Sequence, residues 1–565
     1  MNSAVRTLLL VLVLGLVVLP TAAIADSAQS GQTGVAEVQI LGLNDFHGAL
    51  EPPAGSGGRI GATNAGGVEY LATHIANLEA GNTNSIFVSA GDLIGATPLL
   101  SALFHDEPTI EAFNLMGLDY NGVGNHEFDE GVSELLRMQK GGCHPVDGCQ
   151  DGDDFKGAKF DFLAANVKYK SNNKPIFAPY KLHRVGAMKI AFVGMTLEGT
   201  PSIVSPGGIQ NVNFLDEAAT VNALVPELKA KGVETIVVLL HEGGRVTDSL
   251  NEGTINNCTN PTGALPPVVE AMDDEIDVVV TGHTNWAVNC VIDGKVVTGA
   301  ASAGRLITDI DLQISRTTRD VVGASVNNKI ITRDVAPAAG LTALVSKYRA
   351  ISAPIANRVI GRITTDITRT NNAAGESALG DVIADAQLDA TNDAGTGNAV
   401  VAFMNPGGIR ADLTYPSSAA GEGDGNVTYG EMFTVQPFGN SMVTMTLTGT
   451  QIDRLLEEQF TGCTFTSNRI LQVSAGFTYT WQASGGVCAK VDATTIKING
   501  VAVVPGNSYR VTVNSFLADG GDSFPILTQG TDRLGGEVDT DALERYIATN
   551  SPVPPGPQNR ITLVP

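Results

Sequence analysis

The chain has 565 residues, with 35 lysines and arginines against 59 aspartates and glutamates, a formal charge of −24, and 43% hydrophobic residues. That length exceeds one typical domain, and the charge is too dilute to hold the chain unfolded, so a multidomain globular protein is expected. The acidic balance excludes an electrostatic grip on a nucleic-acid polymer or an anionic membrane surface.

Arg6 precedes the apolar run Leu8 to Leu19, which stops at Pro20 and is followed by Ala23-Ile24-Ala25. A bilayer span needs about 20 apolar residues, and this run has 12. Residues 1–25 therefore read as a secretory signal peptide cleaved near Ala25. With no later spanning stretch, no lipobox cysteine and no apolar C-terminal tail, the expected product is secreted or periplasmic and has no stable membrane anchor. Six cysteines in an exported chain are expected to pair. Fifteen pairings are possible, and sequence neighbours favour Cys143 with Cys149, Cys258 with Cys290, and Cys463 with Cys488.

From Val35 onward, short β-branched runs alternate with helical segments. Strands are predicted at Glu37 to Leu43, Ser85 to Ser89, Phe160 to Ala165, Lys189 to Met195, Thr235 to Leu240 and Glu275 to Val280. Val68, Leu71, Ile75 and Leu78 recur at helical spacing within Gly67 to Glu79. This alternation predicts a layered α/β domain over residues 36–336, β-rich from Arg305 to Arg333. A linker helix over 337–358 carries Leu341, Leu344, Val345, Tyr348, Ile351 and Ile355. Residues 359–550 read as a smaller α+β domain with a helix at Ser377 to Leu388 and a strand at Ala399 to Met404. Pro416 to Asn426 reads as an exposed loop, and residues 551–565, Pro-rich from Ser551 to Pro557, as a tail.

Five polar clusters follow predicted strands of the first domain: Asn44-Asp45-Phe46-His47, Gly91-Asp92, Gly124-Asn125-His126-Glu127, His241-Glu242 and Gly282-His283-Thr284-Asn285. Open α/β sheets place ligands at the carboxyl ends of their strands, and four of the eight histidines stand in these clusters. Asp45 and His47 are two apart, so a continuing strand would point both at one ion; His283 and Asn285 repeat the spacing. Imidazole, carboxylate and amide donors suit zinc, manganese, iron or cobalt. Their number implies two divalent ions, with Asp92 the natural bridge; paired ions about 3.5–4 Å apart clamp phosphoryl oxygens and acidify water. His126, next to Asn125, is suited to donate to a phosphoryl oxygen, with the carboxylate of Asp129 holding its tautomer. His74, His105, His144 and His183 lack such a context and read as structural.

In this order, the DxH, GD, GNHE, H and GHxN patterns resemble those of the secreted two-domain 5′-nucleotidases of the calcineurin-like metallophosphoesterase superfamily. The resemblance runs over roughly residues 36 to 550. It implies a layered metallophosphoesterase β-sandwich with flanking helices, followed by the 5′-nucleotidase C-terminal domain. It assigns Asp45, His47, Asp92 and Asn285 to one metal, Asp92, Asn125, His241 and His283 to the other, and His126 with Asp129 to a catalytic dyad. The nucleotidase branch carries an amide where Asn285 stands, whereas a histidine is common in the wider superfamily.

In the second domain, Asn405-Pro406-Gly407-Gly408-Ile409-Arg410 is similar to the family's phosphate-binding turn, with a proline in place of one glycine and Arg410 as the phosphate contact. Gln436 to Asn440 and Asn514 to Asp522 match segments in which Phe438 and Phe516 stack on a base and Asp522 binds ribose. Arg369 is the candidate for a further upstream phosphate arginine. The resemblance implies hydrolysis of nucleoside 5′-monophosphates, extending to di- and triphosphates or nucleotide sugars, by metal-activated water. A 2′,3′-cyclic-nucleotide 2′-phosphodiesterase/3′-nucleotidase is the alternative within the superfamily, and Asp129 disfavours it because asparagine tends to stand there in that branch. A non-nucleotide metallophosphoesterase would not need Phe438 and Phe516. An inactive adhesion scaffold would have lost ligands, and none is missing.

Overall fold

Five strands of the first domain end at the polar clusters: β1 (Val35–Leu43), β2 (Ser85–Ser89), β3 (Tyr120–Gly122), β4 (Thr235–His241) and β5 (Val278–Thr281). The structure, a computed structural model, describes residues 34–564 apart from 54, 205, 248, 249, 419 and 466. The expected signal peptide lies outside the described residues. β1, β2 and β3 are parallel neighbours in a six-stranded sheet, Leu43 beside Ser89 and Ser89 beside Asn121. β4 and β5 are parallel neighbours in a second six-stranded sheet, Leu240 beside Thr281.

Strands buried on both faces read as continuous apolar runs rather than alternating ones. In β1, Val38 and Ile40 face the interior between the sheets with Val237, Leu239, Val278 and Val280. Leu41 and Leu43 face outward against Leu71 and Ile75 of α1 (Val68–Glu79). Val238 and Leu240 of β4 face the other outer layer, against Val221, Val225 and Leu228 of the Glu217–Ala230 helix. Each such side chain contributes about 1.5–3 kcal/mol by burial, and the result is the expected sandwich with flanking helices.

The expected helix after the first domain is α2 (Ala339–Ala356). Its Leu341, Val345 and Tyr348 enter the first-domain core, and Tyr348 donates from Oη to Glu111 at 2.9 Å. Just past its end, the carbonyl of Arg358 accepts from the amide of Tyr429 at 2.9 Å, which ties the helix to the second domain.

The second domain packs α3 (Ala378–Thr391) on a five-stranded sheet that includes β6 (Val401–Met404), β7 (Ser441–Thr448) and β9 (Ser508–Asn514). Ser377 caps α3 by accepting from the amide of Gly380 at 3.1 Å. A further sheet is built on β8 (Phe477–Gly486). The cysteines pair as sequence neighbours: Cys143–Cys149, Cys258–Cys290 and Cys463–Cys488.

The segment 551–565 departs from the expected tail. Its Pro-rich part is a connection to β10 (Ile561–Val564), which pairs in parallel with β8, Tyr479 beside Ile561 and Trp481 beside Leu563. Arg560 anchors it: only 6% exposed, it donates to Asp385 at 2.8 and 2.7 Å and to the carbonyl of Val473 at 2.7 Å, while its amide donates to Glu376 at 3.0 Å. Proline content marked the turn but hid the strand and charge that follow it. Arg560→Ala takes the ion-pair partner from half-buried Asp385, which keeps only the amide of Ala475, and losing such charge-assisted hydrogen bonds costs about 1.5–3 kcal/mol. Thermal denaturation should show a clear loss of stability; an unchanged midpoint would mean that the C-terminal strand is dispensable.

Candidate active site

Five of the seven residues expected to hold metal reach the site through left-handed conformations and not through strand periodicity, while His241 ends β4 and Asn125 is right-handed. β1 stops at Leu43 and β5 at Thr281, so neither Asp45 with His47 nor His283 with Asn285 lies on a continuing strand. φ is 49° at Asp45, 48° at His47, 53° at Asp92, 69° at His283 and 62° at Asn285. Such conformations cost a non-glycine residue about 1–3 kcal/mol each and persist where the surroundings over-determine them. Here the amides of Asp45 and His47 donate at 2.9 Å to the carbonyls of Gly91 and Asp92. Asn44 pins the first turn across the sandwich, donating to Ala301 O and accepting from Ala300 N, both at 2.6 Å.

Asp92 is the centre of the cluster. One of its oxygens, Oδ2, is 3.0 Å from His241 Nε2 and 3.8 Å from His47 Nε2. Donor atoms of Asp45, His47 and Asp92 lie within 4.8 Å of one another, and so do those of Asp92, His241 and His283. The amide oxygen of Asn125 is 3.1 Å from His241 Nε2 and 3.0 Å from His283 Nδ1. His241 Nδ1 contacts Ala90 O at 2.7 Å and His47 Nδ1 contacts Gly95 O at 2.9 Å. Each carbonyl needs a donated proton, so in the neutral imidazole, the form that ligates a metal, each Nε2 lone pair faces the cluster. Asn285 lies at the edge, its Nδ2 donating to His283 O at 3.2 Å.

Burial pushes the Asp45 carboxyl up to about 7 and depresses His47 and His283 to about 3. Burial also opposes charge on Asp92 and His241, but their mutual contact prevails, holding Asp92 well below the carboxylate range and raising His241 to about 10. Among the described residues, the ion pairs of Asp45 and Asp92 are to imidazoles alone. Buried carboxylates without a lysine or arginine, beside inward lone pairs and an amide oxygen, are a donor set that fits divalent cations of the zinc and manganese kind.

The GNHE segment divides its work residue by residue. A Cβ at Gly124 would fall 2.2 Å from Asp92 Oδ1, so only glycine passes there. Asn125 faces the cluster. Glu127, 3% exposed, accepts from the amides of Asp92 at 2.9 Å, Leu93 at 3.0 Å and Gly124 at 2.7 Å, binding the β2 and β3 loops together. The sequence marked Glu127 as part of the cluster without revealing this scaffolding task.

His126 turns the other way, with Nδ1 2.8 Å from Asp129 Oδ2. Burial opposes its charge, yet Asp129 and Asp92 outweigh that and raise its pKa above the usual value. Its ring stacks on Phe438 of the second domain with centroids 5.9 Å apart. Between the domains lies a cavity of about 410 Å³. His47, Asp92, Asn125, His126, Asp129, His283 and Asn285 line one wall, and Asn405, Arg410, Phe438, Phe516 and Asp522 the other. Asp45 and His241, both fully buried, stand behind the first wall.

Arg369 is not in the lining. Its amide donates to Asp412 at 2.8 Å and its Nη1 to Ile409 O at 3.2 Å, and desolvation, joined by the charge of Arg369, lowers the pKa of half-buried Arg410. Asp522 accepts from Asn405 at 2.8 Å and pairs with Arg469, a lining residue that carried no motif in the sequence. Asn514 in turn donates to Asn405 at 2.9 Å. Gly521 leaves room for Phe516, whose ring a Cβ would meet at 2.5 Å.

Asp92→Asn removes the carboxylate common to both donor groups and is expected to lower the content of both divalent ions. Asn285→Ala, at the edge, should lose much less. Elemental analysis after equilibration with Zn²⁺ decides, and equal, small losses would mean that Asp92 is not shared.

The chain is similar to known proteins over most of its length. The calcineurin-like phosphoesterase family matches residues 38–286, and the 5′-nucleotidase C-terminal domain matches residues 359–529. The cell wall protein Lmo0130 of Listeria monocytogenes is 32% identical over 96% of this chain and 71% of its own length. Endonuclease YhcR of Bacillus subtilis is 31% identical over 93% of this chain, which spans only 41% of that relative. Human 5′-nucleotidase is 25% identical over 94% of this chain and 91% of its own. The crystal structure of the 5′-nucleotidase precursor from Thermus thermophilus superposes with a TM-score of 0.75 at 25% identity, covering 94% of this chain and 99% of that one. With both halves matched in order and the fold shared end to end, the chain belongs to the two-domain 5′-nucleotidase family, hydrolases that join a divalent-metal-dependent calcineurin-like phosphoesterase domain to a 5′-nucleotidase C-terminal domain.

Proposed function

We propose that the protein is an exported enzyme that hydrolyses nucleoside 5′-monophosphates to nucleoside and phosphate, and that takes nucleoside di- and triphosphates and nucleotide sugars as further substrates. The observation that carries this reading is the cavity that joins the Asp92 cluster to Arg410, Phe438, Phe516 and Asp522. A metal cluster alone would suit any phosphate ester. Two aromatic side chains beside a carboxylate suit a base and a ribose.

Asp45, His47, Asp92 and Asn285 would hold one divalent ion, and Asp92, Asn125, His241 and His283 the other. When bound, the pair supplies charge to the phosphoryl oxygens and makes water nucleophilic at neutral pH. His126, kept protonated by Asp129, donates to a phosphoryl oxygen as negative charge builds. Arg410 faces the cluster from the second domain, and unlike Arg469, which pairs with Asp522, it is available to orient the phosphate opposite His126. Phe438 and Phe516 grip the base, and Asp522, aimed by Asn405 and Arg469, accepts from ribose hydroxyls. Arg369, outside the lining, acts by placing Arg410 and its turn. Zinc or manganese fits the donor set.

A second reading is favoured by the relative named an endonuclease: the cluster would also cleave phosphodiesters, cyclic nucleotides among them. Bis-aryl phosphate turnover close to that of AMP would support it, and turnover orders of magnitude slower would leave the monoesterase reading alone.

Chelation should abolish phosphate release from AMP, and a divalent transition metal should restore it; full activity in a metal-free preparation contradicts the proposal. His126→Ala should lower kcat about 10²–10³-fold, as for other oxyanion donors, with metal content nearly unchanged. Metal loss in that variant would put His126 among the ligands. Phe438→Ala or Phe516→Ala should remove about 1–3 kcal/mol of base stacking, a fall of about 5- to 150-fold in kcat/KM for AMP, while hydrolysis of a small aryl phosphate persists. Equal losses on both substrates would make the phenylalanines packing residues.

A further inference from the structure

Phe516 and Asp522, the expected base and ribose contacts, are joined in the structure by Asn514, a residue with no expected role of its own. Asn514 is 1% exposed and closes β9, and Asn405, 3% exposed, follows the end of β6. These are neighbouring parallel strands, Val401 beside Val511, so their carboxyl ends bring the two side-chain amides together at the cleft. Asn514 Oδ1 accepts from the amide of Leu517 at 2.8 Å and so caps the Ser515–Ala518 turn that carries Phe516. Its Nδ2 donates to Asn405 Oδ1 at 2.9 Å, and Asn405 Nδ2 donates to Asp522 Oδ2 at 2.8 Å. The direction of this relay is forced, because a backbone N–H can only donate and a carboxylate can only accept. The other oxygen of Asp522 pairs with Arg469, whose guanidinium carbon lies 3.4 Å from the centroid of the Phe465 ring. A second tie runs through packing: the Phe516 ring lies against Gly521, where a Cβ would be 2.5 Å from it, and Gly521 directly precedes Asp522. Asp522 itself is left-handed, with φ 54°, a conformation that persists where its surroundings over-determine it.

We propose that Asn514 is a specificity-determining positioning residue that locks Phe516 and Asp522 into one unit, so that the cleft selects nucleotides whose ribose carries free 2′- and 3′-hydroxyls. The proposal rests on the reading of Asp522 as the ribose acceptor. Capping alone does not call for asparagine, since serine caps a helix as well. What asparagine adds is an N–H group beside the capping oxygen, and here it holds Asn405. Without that bond Asn405 loses the donor that fixes its amide, and Asp522 loses the aim that this amide provides. Base and ribose are then read by groups that no longer keep a fixed separation. Asn514 acts through Asn405 and Phe516 and not on the reacting atoms.

The test is the ratio of kcat/KM for AMP to that for 2′,3′-dideoxy-AMP, which keeps the base and the phosphate and lacks both hydroxyls. A ratio taken on one preparation does not depend on how much of it is folded. Wild type is expected to favour AMP at least about 10-fold, as for a hydrogen bond to a charged group. Asn514→Ser and Asn514→Asp each keep an oxygen for the cap, but serine is too short to reach Asn405 and aspartate has no N–H to give it. Both should bring the ratio down at least about 5-fold, and neither should lower it further in an Asp522→Ala background. A wild-type ratio in both variants overturns the proposal and leaves the ribose role of Asp522 standing. An equal fall with and without the Asp522 carboxylate overturns it too, since Asn514 then acts elsewhere. If wild type itself does not prefer AMP, the ribose role of Asp522 fails and the proposal with it, whereas the readings of the metal cluster and of the base contacts are untouched.

Discussion

Two carboxylates, Asp45 and Asp92, are buried just past the ends of adjacent parallel strands, and among the described residues no lysine or arginine pairs with them. Burying charge in this way is unfavourable unless it is compensated, and much of the first domain is arranged around that problem. The turn carbonyls of Ala90 and Gly95 set the tautomers of His241 and His47, Glu127 clamps the turns, and Gly124 lets Asp92 approach. The strain of five left-handed ligand-position residues is accepted where it brings donors from different strands to one point.

The second domain adds what the cluster lacks. Its contribution is a wall of Arg410, Phe438, Phe516 and Asp522, carried on short segments that follow elements packed in the second domain's own cores. On the proposed reading, chemistry and recognition belong to different domains, which meet where His126 stacks on Phe438. α2 is the physical connection: its apolar face belongs to the first core, and the residue after its last turn already bonds to the second domain. Each wall of the cavity rests on the packing of its own domain.

Much of this was legible in the residues. Buried strands announce themselves as runs such as Thr235 to Leu240, and polar clusters directly after them are visible without a fold; β2 has the bounds its pattern predicts. What the sequence concealed depends on backbone conformation or on distance in the chain. The spacing of Asp45 and His47 suggested a strand, whereas a left-handed turn achieves the convergence. Arg469 has no local signal, because its partner Asp522 is remote in sequence. The C-terminal strand was likewise hidden behind its prolines.

The central claim is that one carboxylate, Asp92, is shared by two metal ions at the mouth of an interdomain cleft. Anomalous diffraction at the absorption edge of the bound metal tests it most directly. The account predicts two peaks flanking Asp92, about 3.5–4 Å apart, one beside His47 and the other beside His241. A single peak, or a pair of peaks that leaves Asp92 out of either coordination shell, would contradict it.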